Sequence, residues 1–316
     1  MRLLVTGGTG FIGAPLCQRL VQRGHELFVF TRSPARQQAQ ASPHTKSGGA
    51  GAGVRFLSWE SGEWQRTIGE VQALINLAGE SVAARRWTPR QKARLWESRI
   101  QTTQRLVDAL AGSLNKPAVL INASAVGYYG ARGDEELSET DASGRGFLAE
   151  LCQAWESEAR RAERFGVRVV RLRIGMVLGA GGGALAKMTP PFRWFIGGPL
   201  GSGRQWVSWI HRDDVIGLID WALERPDVSG PVNATAPHPV TMRDLCRELA
   251  RALRRPSWAP VPGIALRVLV GEFAEALLTG QRVIPSAAVR WGYRFQHPEL
   301  ARALEACFSA ETRDGK

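Results

Sequence analysis

Cysteine is scarce in this chain. Cys17, Cys152, Cys246 and Cys307 are spread over 316 residues with no Cys-x-x-Cys pair and no Cys/His cluster. That excludes a disulfide scaffold and a structural zinc centre, so no metal is expected, and the thiols read as free and buried in a reducing compartment. Lysine occurs only at Lys46, Lys92, Lys116, Lys187 and Lys316, which leaves 36 of the 41 basic residues as arginine. Tyrosine is limited to Tyr128, Tyr129 and Tyr293, a shortage that weighs on any proton-transfer chemistry. Long apolar runs are missing as well. The stretch 167–179 is broken by Arg168, Arg171 and Arg173, and no run reaches the roughly 18 residues that a membrane span needs. Met1-Arg2 leads through Leu3-Leu4-Val5 straight into a glycine turn, which leaves no apolar core for a signal peptide. These absences predict a cytoplasmic protein with no membrane partner.

The formal charge of +12 raises the question of a nucleic-acid partner. The arginines, however, are scattered through every segment and interleaved with glutamate, as across 156–164. That pattern reads as a solvated surface and not as a phosphate-tracking groove, so no nucleic acid is expected. A small-molecule substrate and a monomer or homodimer are the simpler expectation. The length suits one large α/β domain or two smaller lobes.

Strand-like stretches at 2–6, 26–31, 54–58, 73–77, 119–123 and 167–173 alternate with amphipathic helical stretches at 15–23, 89–111 and 147–165. This rhythm predicts βαβ units and a doubly wound parallel Rossmann sheet, an α/β fold. Gly24 and Gly166 stand where helix C-caps belong, each directly before a strand. The stretch 34–53, rich in Ala, Gln, Ser and Gly, reads as a surface loop, with a lid as the functional alternative. Beyond Gly179 the rhythm changes to a Gly/Pro/Trp-rich excursion as far as Trp209. A helix over 213–223, a short strand over 231–234, a Thr241-capped helix over 242–253 and apolar helical stretches around 264–278 follow. No internal repeat is visible.

Thr6-Gly7-Gly8-Thr9-Gly10-Phe11-Ile12-Gly13 lies between the first strand and the first helix. Gly7 permits a tight turn, Gly10 admits a pyrophosphate to the backbone, and Gly13 allows close helix–strand packing. The alternative is a glycine turn that only reverses the chain. At the end of the second strand, Phe30-Thr31-Arg32-Ser33 lacks the acid that would accept from a free ribose 2′-hydroxyl. Arg32 would pair with a 2′-phosphate instead, which selects NADP over NAD; otherwise it is an exposed arginine opening the loop.

The glycine turn together with Asn76-Leu77-Ala78-Gly79-Glu80 resembles the short-chain dehydrogenase/reductase superfamily. Within it the chain is similar to the atypical, epimerase-like YfcH or SDR39U-type family, which carries a DUF1731-like C-terminal segment. Further matching stretches are Glu97-Ser98-Arg99, Val177-Leu178-Gly179, Gly181-Gly182-Gly183-Ala184, Gly197-Gly198-Pro199-Leu200-Gly201-Ser202-Gly203, Trp209-Ile210-His211 with Asp213-Asp214, and Gly280-Gln281-Arg282-Val283-Ile284-Pro285. The resemblance implies an NADP-binding Rossmann domain over 1–178, to which the chain returns at about 205–236. It also implies a smaller C-terminal substrate lobe over 179–204 and 237–316. Cofactor-binding residues implied by the match are Gly7, Thr9, Gly10, Phe11, Ile12, Thr31, Arg32, Leu77, Ala78, Gly79, Arg99 and Val177. Arg99 has a surface cation as its alternative, and Leu77-Ala78 a plain strand end in the core.

Short-chain reductases hold the carbonyl with a Ser/Thr at the end of the fifth strand, and a Tyr-x-x-x-Lys on the next helix moves the proton. Ser124 occupies that strand end, in Ser124-Ala125-Val126-Gly127-Tyr128-Tyr129-Gly130, but the helix 147–165 contains neither Tyr nor Lys. An unassisted tyrosine titrates near 10, so roughly one molecule in 10³ is phenolate at pH 7 and base catalysis costs on the order of 4 kcal/mol. A neutral tyrosine protonating an alkoxide needs no such activation. The expected catalytic pair is therefore Ser124 and Tyr128, with carbonyl reduction favoured over oxidation or a full epimerase cycle; the alternative for both is a strand-end turn. The class alternatives are an NADP(H)-dependent oxidoreductase acting on a small carbonyl or sugar-nucleotide-like substrate, and a non-catalytic NADPH-binding sensor. His211 and Asp214 are read as an anchor for the returning chain.

Overall fold

The near-continuous apolar runs of the central strands are realised as a sheet apolar on both faces. The computed structural model describes residues 1–31, 33–35, 37 and 53–314. Seven parallel strands form the central sheet: β1 (Arg2–Thr6), β2 (Glu26–Phe30), β3 (Gly53–Leu57), β4 (Ala73–Asn76), β5 (Val119–Ala125), β6 (Arg168–Ile174) and β7 (Gly230–Ala234), in the order β7-β6-β5-β4-β1-β2-β3. The order reverses beside β1, the crevice where doubly wound folds bind ligands. All six strand expectations are met to within two residues. The short strand after residue 230 joins the same sheet as a seventh, paired with β6.

The helices are α1 (Gly13–Gln22), α2 (Glu63–Ile68), α3 (Pro89–Gly112), α4 (Phe147–Arg160), α5 (Gly183–Arg193), α6 (Arg212–Glu224), α7 (Met242–Leu253), α8 (Gly263–Val270), α9 (Phe273–Leu278), α10 (Ser286–Arg290) and α11 (Leu300–Asp314). Leu16, Cys17, Leu20 and Val21 of α1 and Val215 to Ala222 of α6 cover one sheet face, against Leu3, Val5, Leu27, Val29 and Ile121. Leu106, Val107 and Leu110 of α3, with Trp64 and Ile68 of α2, cover the other, against Leu4, Phe28, Leu74 and Leu120.

Local signals act as expected at several ends. Gly24 and Gly166 take φ of +80° and +75°, and Thr241 Oγ1 accepts from Asp244 N (3.2 Å) to cap α7. Thr88 caps α3 in the same way, with Pro89 at the first helical position. The helix expected over 147–165 tightens into a 3₁₀ turn at Arg161–Phe165. The excursion after Gly179 contains the helix α5, whose Pro190 and Pro191 fall in its C-terminal half. A second core, around Leu185, Phe192, Trp209, Leu245, Leu249 and Leu304, joins α5, α7 and α11. The lid reading of 34–53 and the 2′-phosphate role of Arg32 fall almost wholly outside the described residues.

Candidate functional site

Toward their carboxyl ends the central strands exchange apolar for polar side chains on the face that α3 and α4 cover. Parallel register places Thr6 beside Asn76 and Asn76 beside Asn122. Thr6 Oγ1 donates to Asn76 Oδ1 (2.5 Å), and Asn76 Nδ2 donates to Asn122 Oδ1 (2.6 Å) and Thr103 Oγ1 (2.9 Å). All four side chains are buried. A buried polar row of this kind must be closed on itself, and closing it locks the strand ends in one register.

The glycine turn sits on that locked edge. Gly7 takes φ +69°, and a Cβ there would lie 2.6 Å from the Leu77 carbonyl carbon, so the turn rests directly on the end of β4. Gly13 lacks room for a Cβ because of the Gly7 carbonyl, so its bareness lets the start of α1 close against the backbone that leaves β1. A Cβ at Gly10 would meet only Gly7 O, at 3.2 Å. Thr9 and Gly10 form the exposed tip, followed by half-buried Phe11 and Ile12. Helix α1 begins with no side-chain cap and no acid in its first turn, so its positive end is open to an anion. Phe11 packs where Cβ atoms on Gly182 and Gly183 would fall (both 2.6 Å), and the Arg212 guanidinium lies 5.1 Å from its ring. The second glycine cluster thus makes space for the side chain of the first loop. Val177, half-buried, pairs with Ile210 just before that cluster. Thr31 is half-buried at the end of β2, and Leu77 and Ala78 are half-buried at the end of β4, next to exposed Gly79.

Arg99 is not a surface cation. Its Nη2 donates to Glu80 O (2.9 Å) and its Nη1 to Leu95 O (3.0 Å), and its guanidinium lies 5.2 Å from the Trp155 ring. A Cβ on Gly79 would fall 3.1 Å from its Cζ. Burial pulls its pKa below the usual arginine range. Among the described residues no carboxylate forms an ion pair with it, which leaves a half-buried positive charge beside the β4 loop.

At the end of β5 the structure departs from the expected reductase arrangement. Ser124 is buried, and its hydroxyl donates to Glu156 Oε1 (2.8 Å). Glu156 stands on α4 and receives a two-pronged contact from Arg173, Nε at 2.8 Å and Nη2 at 3.0 Å, with Arg171 at 3.4 Å. Arg173 Nη1 donates to Tyr129 Oη (2.9 Å), which donates to Asn233 Oδ1 (2.7 Å). Burial opposes the Arg173 charge, but Glu156 and Tyr129 hold its pKa above the usual range. Burial pushes Tyr129 up to about 12 and the neighbouring Cys152 thiol up to about 11. Tyr128 lies in a 3₁₀ turn, Val126–Tyr129, with the Arg173 guanidinium 3.5 Å from its ring centroid. Its hydroxyl makes no hydrogen bond among the described residues. Glu156, Arg173 and Asn122 were given no role from the sequence. For the two strand residues a signal was present, as polar residues two apart at the ends of β5 (Asn122, Ser124) and β6 (Arg171, Arg173).

Asp214 accepts from Gln296 N (2.7 Å) and His297 N (2.9 Å), so it anchors the C-terminal segment. His211 Nδ1 accepts from Asp213 N (3.2 Å) and caps α6, and its ring lies 3.9 Å from that of His297. His211, Asp213 and His297 bring potential ligand atoms within 4.8 Å of one another, but the His211 Nδ1 lone pair already serves the helix cap.

Residues 3–234 match the NAD dependent epimerase/dehydratase family, and 261–307 match a domain of unknown function, DUF1731. The chain is 43% identical over 308 residues to the epimerase family protein SDR39U1 homolog, chloroplastic, of Arabidopsis thaliana, covering 97% of this chain and 86% of that one. It is 36% identical over 307 residues to epimerase family protein YfhF of Bacillus subtilis, covering 96% and 97%. The crystal structure of human epimerase family protein SDR39U1 (isoform 2) with NADPH superposes with a TM-score of 0.85 at 34% identity, covering 98% of this chain and 99% of that one.

Proposed function

The chain belongs to the NAD dependent epimerase/dehydratase family, and we propose that it binds NADP(H) over the glycine turn and reduces a small carbonyl or sugar-nucleotide-like substrate. The observation that carries the reading is the fit of the turn. A left-handed Gly7 against β4, an exposed Thr9-Gly10 tip and an uncapped, acid-free start to α1 suit a pyrophosphate. The relative solved with NADPH, 34% identical, supports the same cofactor. Thr31 and Arg32 would take the 2′-phosphate. Leu77, Ala78 and Gly79 would line the adenosine side by backbone, and Phe11, Ile12 and Val177 would enclose the middle of the cofactor. Arg99 would set its half-buried charge against the cofactor's anionic length. The bound dinucleotide supplies hydride.

The residues around β5 favour reduction. Tyr128, whose hydroxyl is uncommitted, is the proton donor to a developing alkoxide. Ser124 would hold that oxygen, at the expense of its bond to Glu156. No lysine stands on α4 to assist a base, and Cys152 stays protonated at neutral pH. A second reading, a non-catalytic NADPH-binding protein, draws support from that same Ser124–Glu156 bond, because the hydroxyl is already satisfied within a buried network. Following dihydronicotinamide absorbance over a carbonyl panel separates the two. Reduction lowered roughly 10²-fold by Tyr128→Phe supports the enzyme. Tight NADPH binding with no turnover on any carbonyl supports the sensor, and absence of NADPH binding refutes both.

A further inference from the structure

Two neighbouring loops expose large apolar side chains that no interior contact requires. Trp194 is 73% exposed, Phe195 54% and Ile196 53% after the end of α5, and Trp258 is 67% exposed after α7. The loops form one platform. Trp258 Nε1 donates to Phe195 O (2.8 Å), and Trp258 N and Ala259 N both donate to Gly197 O (3.1 and 3.2 Å). There is no room for a Cβ at Gly197, against Phe192, or at Gly198, against Ala259, so the platform is tightly fitted.

The backbone holds these side chains out at a cost. Phe195 (φ +63°) and Arg254 (φ +54°) are the two non-glycine residues with positive φ among the described residues, and both belong to this platform. Each follows a helix at a position where glycine is the usual occupant. For a residue with a Cβ that conformation is strained, because the Cβ crowds the following carbonyl oxygen. The strain places an aromatic ring, not a glycine, at the tip of the loop.

Arginines stand beside the tip. Segments 181–203 and 249–271 contain no Asp or Glu but six basic residues, among them Arg254 and Arg255; Glu248 and Glu272 border the second segment, and Glu248 pairs with Arg251. Arg255 lies 4.7 Å from the Phe195 ring. The second segment runs on into α8, where Ile264, Val268 and Leu269 are also exposed. Aromatic side chains that project beside arginines suit the interfacial zone of an anionic bilayer, where rings enter the headgroup layer and guanidinium groups meet lipid phosphates. A second copy fits poorly, since a two-fold contact through this face would bring Arg254 and Arg255 of the two copies together. Single-stranded nucleic acid fits less well too. Ile196 offers no stacking face, and the exposed apolar surface runs on into the aliphatic Ile264, Val268 and Leu269, which suit acyl chains better than bases.

We propose that the Trp194–Ile196 and Trp258 platform is a docking surface for anionic lipid bilayers. This revises the sequence expectation of no membrane partner. It does not depend on the cofactor reading, and no spanning segment is involved.

Co-sedimentation of the full chain with vesicles of phosphatidylcholine alone, and of phosphatidylcholine mixed with phosphatidylglycerol, tests it. Binding should favour the anionic vesicles and weaken about fivefold for each of Arg254→Gln and Arg255→Gln. It should fall at least roughly tenfold in Trp194→Ala/Trp258→Ala, whereas Leu114→Ala, at a fully exposed site on the sheet domain, should bind as wild type. Phe195→Gly is the informative variant. It removes the strain, so its thermal midpoint should hold or rise while vesicle binding drops. Equal binding to both vesicle types, or no binding, overturns the proposal. So does a dimer that Trp194→Ala/Trp258→Ala dissociates, or an oligothymidylate that binds the platform in preference to vesicles.

Discussion

Replacing Gly10 by valine separates cofactor binding from folding, because the structure makes Gly10 the permissive glycine of its turn. A Cβ there meets a single atom, Gly7 O at 3.2 Å, and Gly10 is not among the glycines with positive φ. A contact of that length needs the neighbour to yield by a few tenths of an ångström. Loss of glycine's unfolded-state entropy offsets part of that cost, so the net change should stay within about 1 kcal/mol. For a chain of this size that moves the thermal midpoint by about 2–4 °C at most. Two γ-methyl groups at an exposed tip, by contrast, fill the space that a pyrophosphate would take. Losing that approach should weaken NADPH binding at least about 100-fold, or ~2.7 kcal/mol. Gly13→Ala is the opposite case. Its Cβ would overlap the Gly7 carbonyl, so several kcal/mol of stability should go, together with binding. Thermal melts and NADPH fluorescence titrations on both variants and on wild type decide the matter. A Gly10→Val protein that melts normally and binds NADPH with unchanged affinity would refute the placement of the cofactor.

Arg32→Ala should reduce the preference for NADPH over NADH by about tenfold or more, the worth of one charge-assisted phosphate pair, as read by parallel titration of the two cofactors. Glu156→Ala should destabilise by about 3–5 kcal/mol in urea melts, because it strands Arg173 and Arg171 without their carboxylate. Glu156→Ala/Arg173→Leu should recover part of that loss, and no recovery would show that the ion pair is not the cause. Burial, followed by the charge of His297, lowers the His211 pKa to about 4, with Asp213 opposing and Arg212 assisting. The unfolded chain therefore binds the extra proton first, so stability should fall as pH drops from about 6.5 to 4, by at most about 3 kcal/mol. His211→Asn, which keeps a cap acceptor, should flatten that slope in pH-resolved melts. Asp214 and Glu139, both raised by burial, act in the opposite sense, losing stability as pH rises through their raised values, and their contribution should persist in the variant.

The sheet, its winding and the location of the glycine turn were legible in the amino-acid order. These depend on short-range regularities. Apolar runs in Arg2–Thr6 and Ala73–Asn76, helical spacing in α1 and α3, and caps at Gly24, Gly166 and Thr241 are each set within a few residues by backbone sterics and local hydrogen bonds. The roles of Gly7 and Gly13, by contrast, were only half visible. That a glycine was required could be read locally, but the atoms excluding its Cβ belong to Leu77 in one case and to the turn's own carbonyl in the other.

Tertiary structure alone decided what surrounds Ser124. Glu156 is 32 residues from it in sequence, Arg173 is 49 and Asn233 is 109. Parallel register at β5, β6 and β7 and the packing of α4 bring the four into one buried network. Arg99 likewise reads as a surface cation on an amphipathic helix until Trp155 and Gly79 are seen to enclose it. The partner of a buried charge is fixed by which strands lie side by side. That is a property of the assembled sheet and not of any stretch of chain short enough to carry a pattern.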